Sequence, residues 1–489
     1  MAVIPKQQDK NMDYTTIYSS KRLTPETAVE LISSGEWVDY AAFLCAPKVL
    51  DAALARRAEQ LRDVKIRSLA FPGRAAVAAA NDGKNSFIYN SWHFSGAERK
   101  LHDRGDCHFI PFVYHEGPGH YRQNIDVDVC ILRTAPMDKF GFFNYGAANS
   151  CTRSAIEKAR LVIIEINENM PRCLGGFHES IHISEVDYVV ETDNEPIFTL
   201  PNPAITETDR TIAEQIVGEI RDGACIQLGI GGMPNTVGKL IASSDLKDLG
   251  VHTEMLADAY LDMYMAGKIT NLNKATDPGR LVYTFALGSS SLYEFLDNNP
   301  CCASYPVDYT NNLQRIASNP GVISINNAIE VDLYGQVSSE SSGTRHITGT
   351  GGQFDFAYGA YHSPGGKSFI CLSSTAKDKT GRTVSRIRPV FDTGTIVTLP
   401  RTITQYIVTE YGMVNLKGKS TWERAEALIS IAHPDFRDGL IKEAEEMGIW
   451  TKAKKMDSIH PGRLGIWRKA NPIDVVTYQG RERASLVES

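Results

Sequence analysis

The chain repeats itself over a long interval, and that repeat limits what it can fold into. Residues 34–66 read SGEWVDYAAFLCAPKVLDAALARRAEQLRDVKI and residues 222–252 read DGACIQLGIGGMPNTVGKLIASSDLKDLGVH. Both run from a Gly turn through an apolar strand into a helix, then reach Leu-x-Asp and a new strand, Leu61–Asp63 in one and Leu246–Asp248 in the other. Downstream, MDKFGFFN (137–144) and VDLYGQVS (331–338) share an apolar residue, Asp, an aromatic after one spacer, and Gly. That step fits a tight turn between two strands. Two matches in the same order argue for a duplicated unit. The boundary is expected near the Pro/Thr-rich stretch PNPAITETDR (201–210), giving domains at 1–205 and 206–489.

The unit is α/β. LVIIEI (161–166) and GVISIN (321–326) are β-branched runs with little alternation, as in strands covered on both faces. Helical patterns lie between such runs, over KVLDAALARRAEQL (48–61) and ETDRTIAEQIVGEIRDG (207–223). The second has an apolar stripe at Ile212, Ile216 and Ile220 and a stop at Gly223. Strands alternating with helices predict mostly parallel sheets, whose ligands bind beyond the C-terminal strand ends. Residues 390–489 read as the helical end of the second half. The length of 489 residues suits two to four domains.

Net charge is −7, which disfavours nucleic acid or an anionic membrane as a partner and requires any anionic ligand to be met locally. The nine cysteines form no CxxC pair and read as reduced thiols in a reducing, cytoplasmic setting. The polar start is not that of a secretory signal, and no apolar run is long enough to span a membrane.

If the halves share a fold, their differences point at chemistry. Where the first half has FLCAP (43–47), the second has LGIGGMP (228–234). Such a turn, with Pro234 suited to the first helical position, would aim backbone amides and a helix N-terminus at negative charge. A Gly-rich turn without a ligand is an equal alternative on this motif alone. At the next strand end the first half reads VKIRSLAF (64–71) and the second VHTEMLAD (251–258), so only the second carries a carboxylate there, Glu254. For a Glu in isolation, a solvated or salt-bridged side chain is the better account. His252 is a structural residue by the same reasoning, since its surroundings lack zinc-ligand spacing. GTGGQFDF (349–356) is a second Gly-rich loop, able to present the amides of Gly351, Gly352 and Gln353. It is followed by a strand, SFICLSS (368–374), and then by Lys377, Lys379, Arg382, Arg386 and Arg388, a basic loop suited to phosphates or simply to solvent. Tyr260, Tyr264, Phe354, Phe356 and Tyr358 either shape a small apolar pocket or belong to the core.

In GIGGMPN (229–235), HTEMLADAYLDMYMAGKITN (252–271), INNAIEVDLYGQV (325–337) and GTGGQFDFAYGA (349–360), the sequence resembles class I CoA transferases of the acetyl-CoA hydrolase/transferase family. Within that family it is similar to the butyryl-CoA:acetate and 4-hydroxybutyrate CoA-transferase group. The resemblance implies two NagB/RpiA/CoA-transferase-like α/β domains and a catalytic Glu254. It also implies oxyanion-stabilising amides at Gly231, Gly232 and Gly352. CoA contacts carry over to Leu228, Gly229, Ile230, Gly231, Gly232, Ile329, Gly352 and Lys379. It further implies acyl-CoA and short-chain carboxylates as substrates, no metal, no permanently bound cofactor, and a homodimer or homotetramer. The implied reaction is ping-pong transfer through a glutamyl-CoA thioester, with acyl-CoA hydrolysis on the same site as the alternative. The nucleophile is then expected to be ionised at neutral pH and to keep polar partners. A nucleotide- or sugar-phosphate-binding protein is the rival from another class, but LGIGGMP is neither GxGxxG in its usual setting nor a P-loop.

Overall fold

The computed structural model describes residues 14–80, 85–201, 204–229 and 231–449. Two open sheets dominate it. The first is built from β1 (Trp37–Ala42), β2 (Val64–Leu69), β3 (Phe87–Ser91), β4 (His108–Phe109), β5 (Val129–Thr134), β6 (Leu161–Ile166) and β7 (Tyr188–Glu191). Its strands are all parallel, in the order β4-β3-β2-β1-β5-β6-β7. The second contains β8 (Cys225–Leu228), β9 (Gly250–Val251), β10 (Val322–Asn327), β11 (Lys367–Cys371), β12 (Tyr406–Thr409) and β13 (Gly412–Asn415), ordered β9-β8-β10-β11-β12-β13. Only β13 runs antiparallel to its neighbour. In both sheets the strand order reverses beside the first strand of the unit, between β1 and β5 and between β8 and β10. That reversal is where open α/β sheets leave a crevice.

The repeat is visible in the backbone itself. Gly35 and Gly223 lie at φ 84° and 76°, Asp63 and Asp248 at 56° and 57°, and Gly141 and Gly335 at 84° and 86°. The Asp-x-aromatic-Gly turns close identically. Asp138 Oδ1 accepts from the N–H groups of Phe140 and Phe142 at 2.9 and 3.0 Å, and Asp332 Oδ1 from those of Tyr334 and Gln336 at 3.1 and 2.8 Å. An Asp carboxylate that ties down the next backbone donors is what lets such a turn form without help from the sheet.

Register refines the alignment of the halves. Trp37 pairs with Lys65 and Cys225 with Gly250, so Leu69, and not Arg67, occupies the position equivalent to Glu254. Several expected boundaries also move. The helix expected over 48–61 runs only over α1 (Val49–Ala55) before breaking into turns, and that expected over 207–223 ends at Val217 as α2 (Glu207–Val217). Gly218 caps α2, while Ile220 is still buried beyond its end. α3 (Gly232–Ser243) starts early enough that Pro234 is its third residue, where its missing N–H still costs no intrahelical bond. The segment from 390 supplies β12 and β13 as well as the helices Thr421–Ser430 and Pro434–Glu446, so it completes the second sheet as well as covering it. No described helix is long and apolar enough to cross a membrane.

Between β9 and β10 the chain makes an excursion that fastens the halves together. Met255–Leu256 pairs with Phe285–Ala286, and Leu281–Tyr283 with Cys302–Ser304. Asn149 N–H donates to Thr284 O at 2.9 Å and Ala286 N–H to Ala147 O at 2.7 Å, so this excursion is hydrogen-bonded into the first half.

The buried Asp332 carboxylate also accepts from Gln336 Nε2 at 2.6 Å. Asp332→Ala would strand two backbone donors and is expected to cost about 1–3 kcal/mol. Asp332→Asn, which keeps an acceptor oxygen, should cost less. Unchanged melting temperatures in both would refute this account of the turn.

Candidate active site

The C-terminal strand ends of the two sheets face each other across a cavity of about 720 Å³. The second half contributes Gln227, Leu228 and Gly229 at the end of β8, Asn326 to Ile329 at the end of β10, and Gly349 to Gln353. The first half contributes Phe43 after β1, Leu69 to Gly73 after β2, and His93 to Ala97 after β3. Glu254 lies on the wall between them, partly exposed.

Glu254 follows β9 and is gripped through its own carbonyl, which accepts from Thr284 N–H at 3.0 Å and Phe285 N–H at 3.2 Å. Its carboxyl Oε2 accepts from Asn311 Nδ2 at 2.8 Å. The Gly352 N–H also faces this carboxyl and favours its charged form. Gly352 immediately precedes α4 (Gln353–His362), so this amide belongs to a helix N-terminus, which favours negative charge. The glycine is required by space: a Cβ there would lie 1.8 Å from Glu254 Oε2 and 2.5 Å from Asn311 Nδ2. Burial nevertheless outweighs these donors. It pushes the Glu254 carboxyl up to about 8, the Asp355 charge adds to the rise, and Asn311 and Gly352 oppose it. The expectation of polar partners is met, and burial works against ionisation of this carboxyl at neutral pH.

Two buried side chains hold the frame. Tyr260 Oη accepts from Leu228 N–H at 2.6 Å and donates to Thr253 Oγ1 at 2.9 Å, tying the end of β8 to the residue before Glu254. His252, pushed down to about 3 by burial, is neutral, so its Nε2–H donates to Thr310 O at 2.7 Å and places Asn311 beside Glu254. His252 is thus a strut, and no cluster of metal-ligating groups occurs among the described residues.

Next to the carboxyl the wall is apolar and comes from both halves. Phe43 stacks on Phe285 with ring centroids 3.7 Å apart, and Met255, Phe112 and Tyr114 adjoin the cavity. Of the aromatics singled out in the sequence, Phe356 lines the cavity and Tyr260 braces its floor, while Tyr264, Phe354 and Tyr358 are not part of its lining.

The structure therefore brings Leu228, Gly229, Glu254, Ile329 and Gly352 to one cavity. Gly231 and Gly232, at the start of α3, are not part of its lining; Gly231 has φ 118°, a conformation that favours glycine. Ile230 lies outside the described residues. Lys379 is exposed at the tip of a hairpin (375–377 and 383–385) and does not line the cavity. The basic loop around it is largely structural. Arg382 pairs with Asp378, Arg388 with Glu330 and Asp392, and Arg386 donates to the carbonyls of Ala328 and Ile329. Sequence reasoning missed Asn311, whose surroundings (YTNN, 309–312) carry no pattern. It also missed the aromatic wall donated by the first half.

Gly352→Ala is expected to swing the Glu254 carboxyl away from Asn311 while leaving α4 intact. A crystal structure of the variant with the Asn311–Glu254 hydrogen bond unchanged would contradict the steric argument.

The sequence model of the acetyl-CoA hydrolase/transferase N-terminal domain matches residues 6–201, and that of its C-terminal domain residues 288–444. The chain is 51% identical over 446 residues, 91% of its length and 100% of the relative's, to the butyryl-CoA:acetate CoA-transferase of Anaerostipes caccae. It is 39% identical over 434 residues, 88% of its length and 99% of the relative's, to the 4-hydroxybutyrate coenzyme A transferase of Clostridium kluyveri. Its fold matches the crystal structure of RipA from Yersinia pestis with a TM-score of 0.82 and 37% identity, covering 90% of this chain and 100% of that one. With both domain models matched in chain order and relatives covered end to end, the chain belongs to the acetyl-CoA hydrolase/transferase family.

Proposed function

We propose that this chain is a CoA transferase that moves CoA between a short-chain acyl-CoA and a carboxylate such as acetate, with Glu254 as covalent nucleophile. The observation that carries the reading is a carboxyl held by an amide side chain and a helix-terminal N–H at the wall of a largely apolar cavity. The relatives named for butyryl-CoA:acetate and 4-hydroxybutyrate transfer support the substrate class. Butyryl, 4-hydroxybutyryl, propionyl and acetyl groups all suit a small apolar wall.

A Glu254 carboxylate oxygen attacks the thioester carbonyl. The C–S bond breaks, CoA thiolate leaves, and a mixed anhydride joins the acyl group to Glu254. The thiolate then attacks the Glu254 carbonyl carbon. The anhydride C–O bond breaks, the first acid departs as its carboxylate, and a glutamyl-CoA thioester remains. An incoming carboxylate runs the same steps in reverse and leaves as the new acyl-CoA. No net proton is consumed and the thioester free energy is conserved. The weak nucleophile depends on positioning and on donors to the developing oxyanions. Gly352 N–H, beside the carboxyl, is the candidate for the oxyanion on Glu254 itself, and Gly231 and Gly232 are the candidates for the substrate side.

Glu254→Ala is expected to abolish transfer. Glu254→Asp should lower kcat by about 10²-fold or more, because one methylene retracts the attacking oxygen. Borohydride added after acyl-CoA should inactivate the enzyme and reduce the side chain of Glu254, read by peptide mass spectrometry; modification confined to another peptide would refute the assignment. Acetyl-CoA should form from acyl-CoA only when acetate is present and without release of free thiol, whereas free thiol, with or without acetate, marks a hydrolase.

The attacking form is the ionised one, and its fraction in the free enzyme grows as pH rises through about 8. The kcat/KM for acyl-CoA is therefore expected to climb up to about tenfold per pH unit on the acid side and to level off above that midpoint. A flat profile across roughly pH 6–9 would contradict the burial argument.

A further inference from the structure

Asp355 is fully buried on α4, one turn from Gly352, and its carboxylate meets groups from two other segments. His115 Nδ1, in the first half, donates to Asp355 Oδ1 at 2.6 Å, and His115 N–H donates to Oδ2 at 3.3 Å. Asn311 Nδ2 lies 3.0 Å from Asp355 Oδ2 and 2.8 Å from Glu254 Oε2. An amide nitrogen has two hydrogens, so Asn311 donates one to each carboxyl. Its Oδ1 has no hydrogen-bond partner among the described residues, a cost accepted only because two acceptors dictate which end of the amide faces them. The charged groups facing His115 are Asp355, Glu116 and Asp308, and those facing Asp355 are His115 and Glu254.

The geometry points to His115 and Asp355 as a positioning pair that acts on the nucleophile through Asn311. The imidazolium offsets the Asp355 charge, the Asp355 carboxylate orients Asn311, and Asn311 holds Oε2 of Glu254 so that Oε1 is presented to the thioester. The inference rests on the role proposed for Glu254. Asp355 holds His115 above the usual histidine range, which favours the protonated imidazole. Without that cation, two carboxylates share one amide and the second to ionise does so at higher pH. Without the Asp355 charge, Glu254 ionises more readily.

The test is the acid limb of kcat/KM for acyl-CoA in three variants of the full-length chain. His115→Ala should move the limb up by about one pH unit, a roughly tenfold loss near pH 6.5 that vanishes at alkaline pH. Asp355→Asn, which keeps an oxygen for Asn311, should move it down. The double variant should follow Asp355→Asn alone, because the imidazolium then has no charge to offset. A merely structural pair would lower activity at every pH without opposite displacements. Limbs that stay put or move together overturn the inference. If His115→Ala does not fold, an unmoved limb in Asp355→Asn is sufficient to overturn it. Transfer by the wild type with unmoved limbs removes only the pair's role, whereas absence of transfer by the wild type removes the functional reading as well.

Discussion

Taking a carboxyl group out of water is costly unless donors replace its hydration, and the surroundings of Glu254 are organised by that cost. The donors are few, Asn311 and the Gly352 amide, so each must be placed well. Asn311 is placed by the strut from His252 to Thr310. Gly352 is placed by the absence of a side chain, which alone allows α4 to start so near the carboxyl. The backbone of Glu254 is fixed by Thr284 and Phe285, and these belong to an excursion hydrogen-bonded to Ala147 and Asn149 of the first half. The carboxyl is thus held by the second half and registered against the first, which is why a carboxyl whose donors all come from one half needs the other.

The two halves show how a duplicated unit loses or keeps a site. Register equates Glu165 of β6 with Cys371 of β11. In the first half the Glu165 carboxylate accepts from the N–H groups of Lys48 and Leu50 at 2.9 Å each, so the start of α1 is already filled by an internal anion. In the second half a buried cysteine stands in that place, and no side chain caps the start of α3. Leu69 in place of Glu254 completes the contrast: it has no charge to solvate and simply extends the apolar wall. One half supplies the carboxyl and its donors, the other an apolar surface facing them.

Much of this was legible in the chain. The duplication showed because the Leu-x-Asp and Asp-x-aromatic-Gly steps require special backbone conformations that few residues tolerate, and the structure has matched φ values at both copies. Glu254 was visible as a departure from the repeat, and the Gly352 loop as a second Gly-rich run ahead of a strand. Helix lengths were misjudged because an apolar stripe continues past the point where the backbone breaks: Ile220 packs into the core from a turn as well as it would from a helix. The basic loop was misjudged because charge density says nothing of pairing, and Arg386 spends its guanidinium on the carbonyls of Ala328 and Ile329. Asn311 and His115 were invisible because their roles exist only across segments, 57 residues from Glu254 in one case and 240 residues from Asp355 in the other.

The high proton affinity of Glu254 also bears on the energetics of the proposed cycle. Acylation converts a carboxylate into a neutral anhydride and then a neutral thioester. A pocket that disfavours the charged carboxylate relative to a neutral form, by a few kcal/mol on the scale that relates pKa to free energy, disfavours the resting nucleophile relative to both covalent states. The same burial raises the basicity of the attacking oxygen, which strengthens a weak nucleophile. Deeper burial would take this too far, because the ionised fraction at working pH falls as basicity rises. The Asn311 and Gly352 donors set the balance: they lower the cost of charge enough for the carboxylate to form, without returning it to the ease of a solvated glutamate.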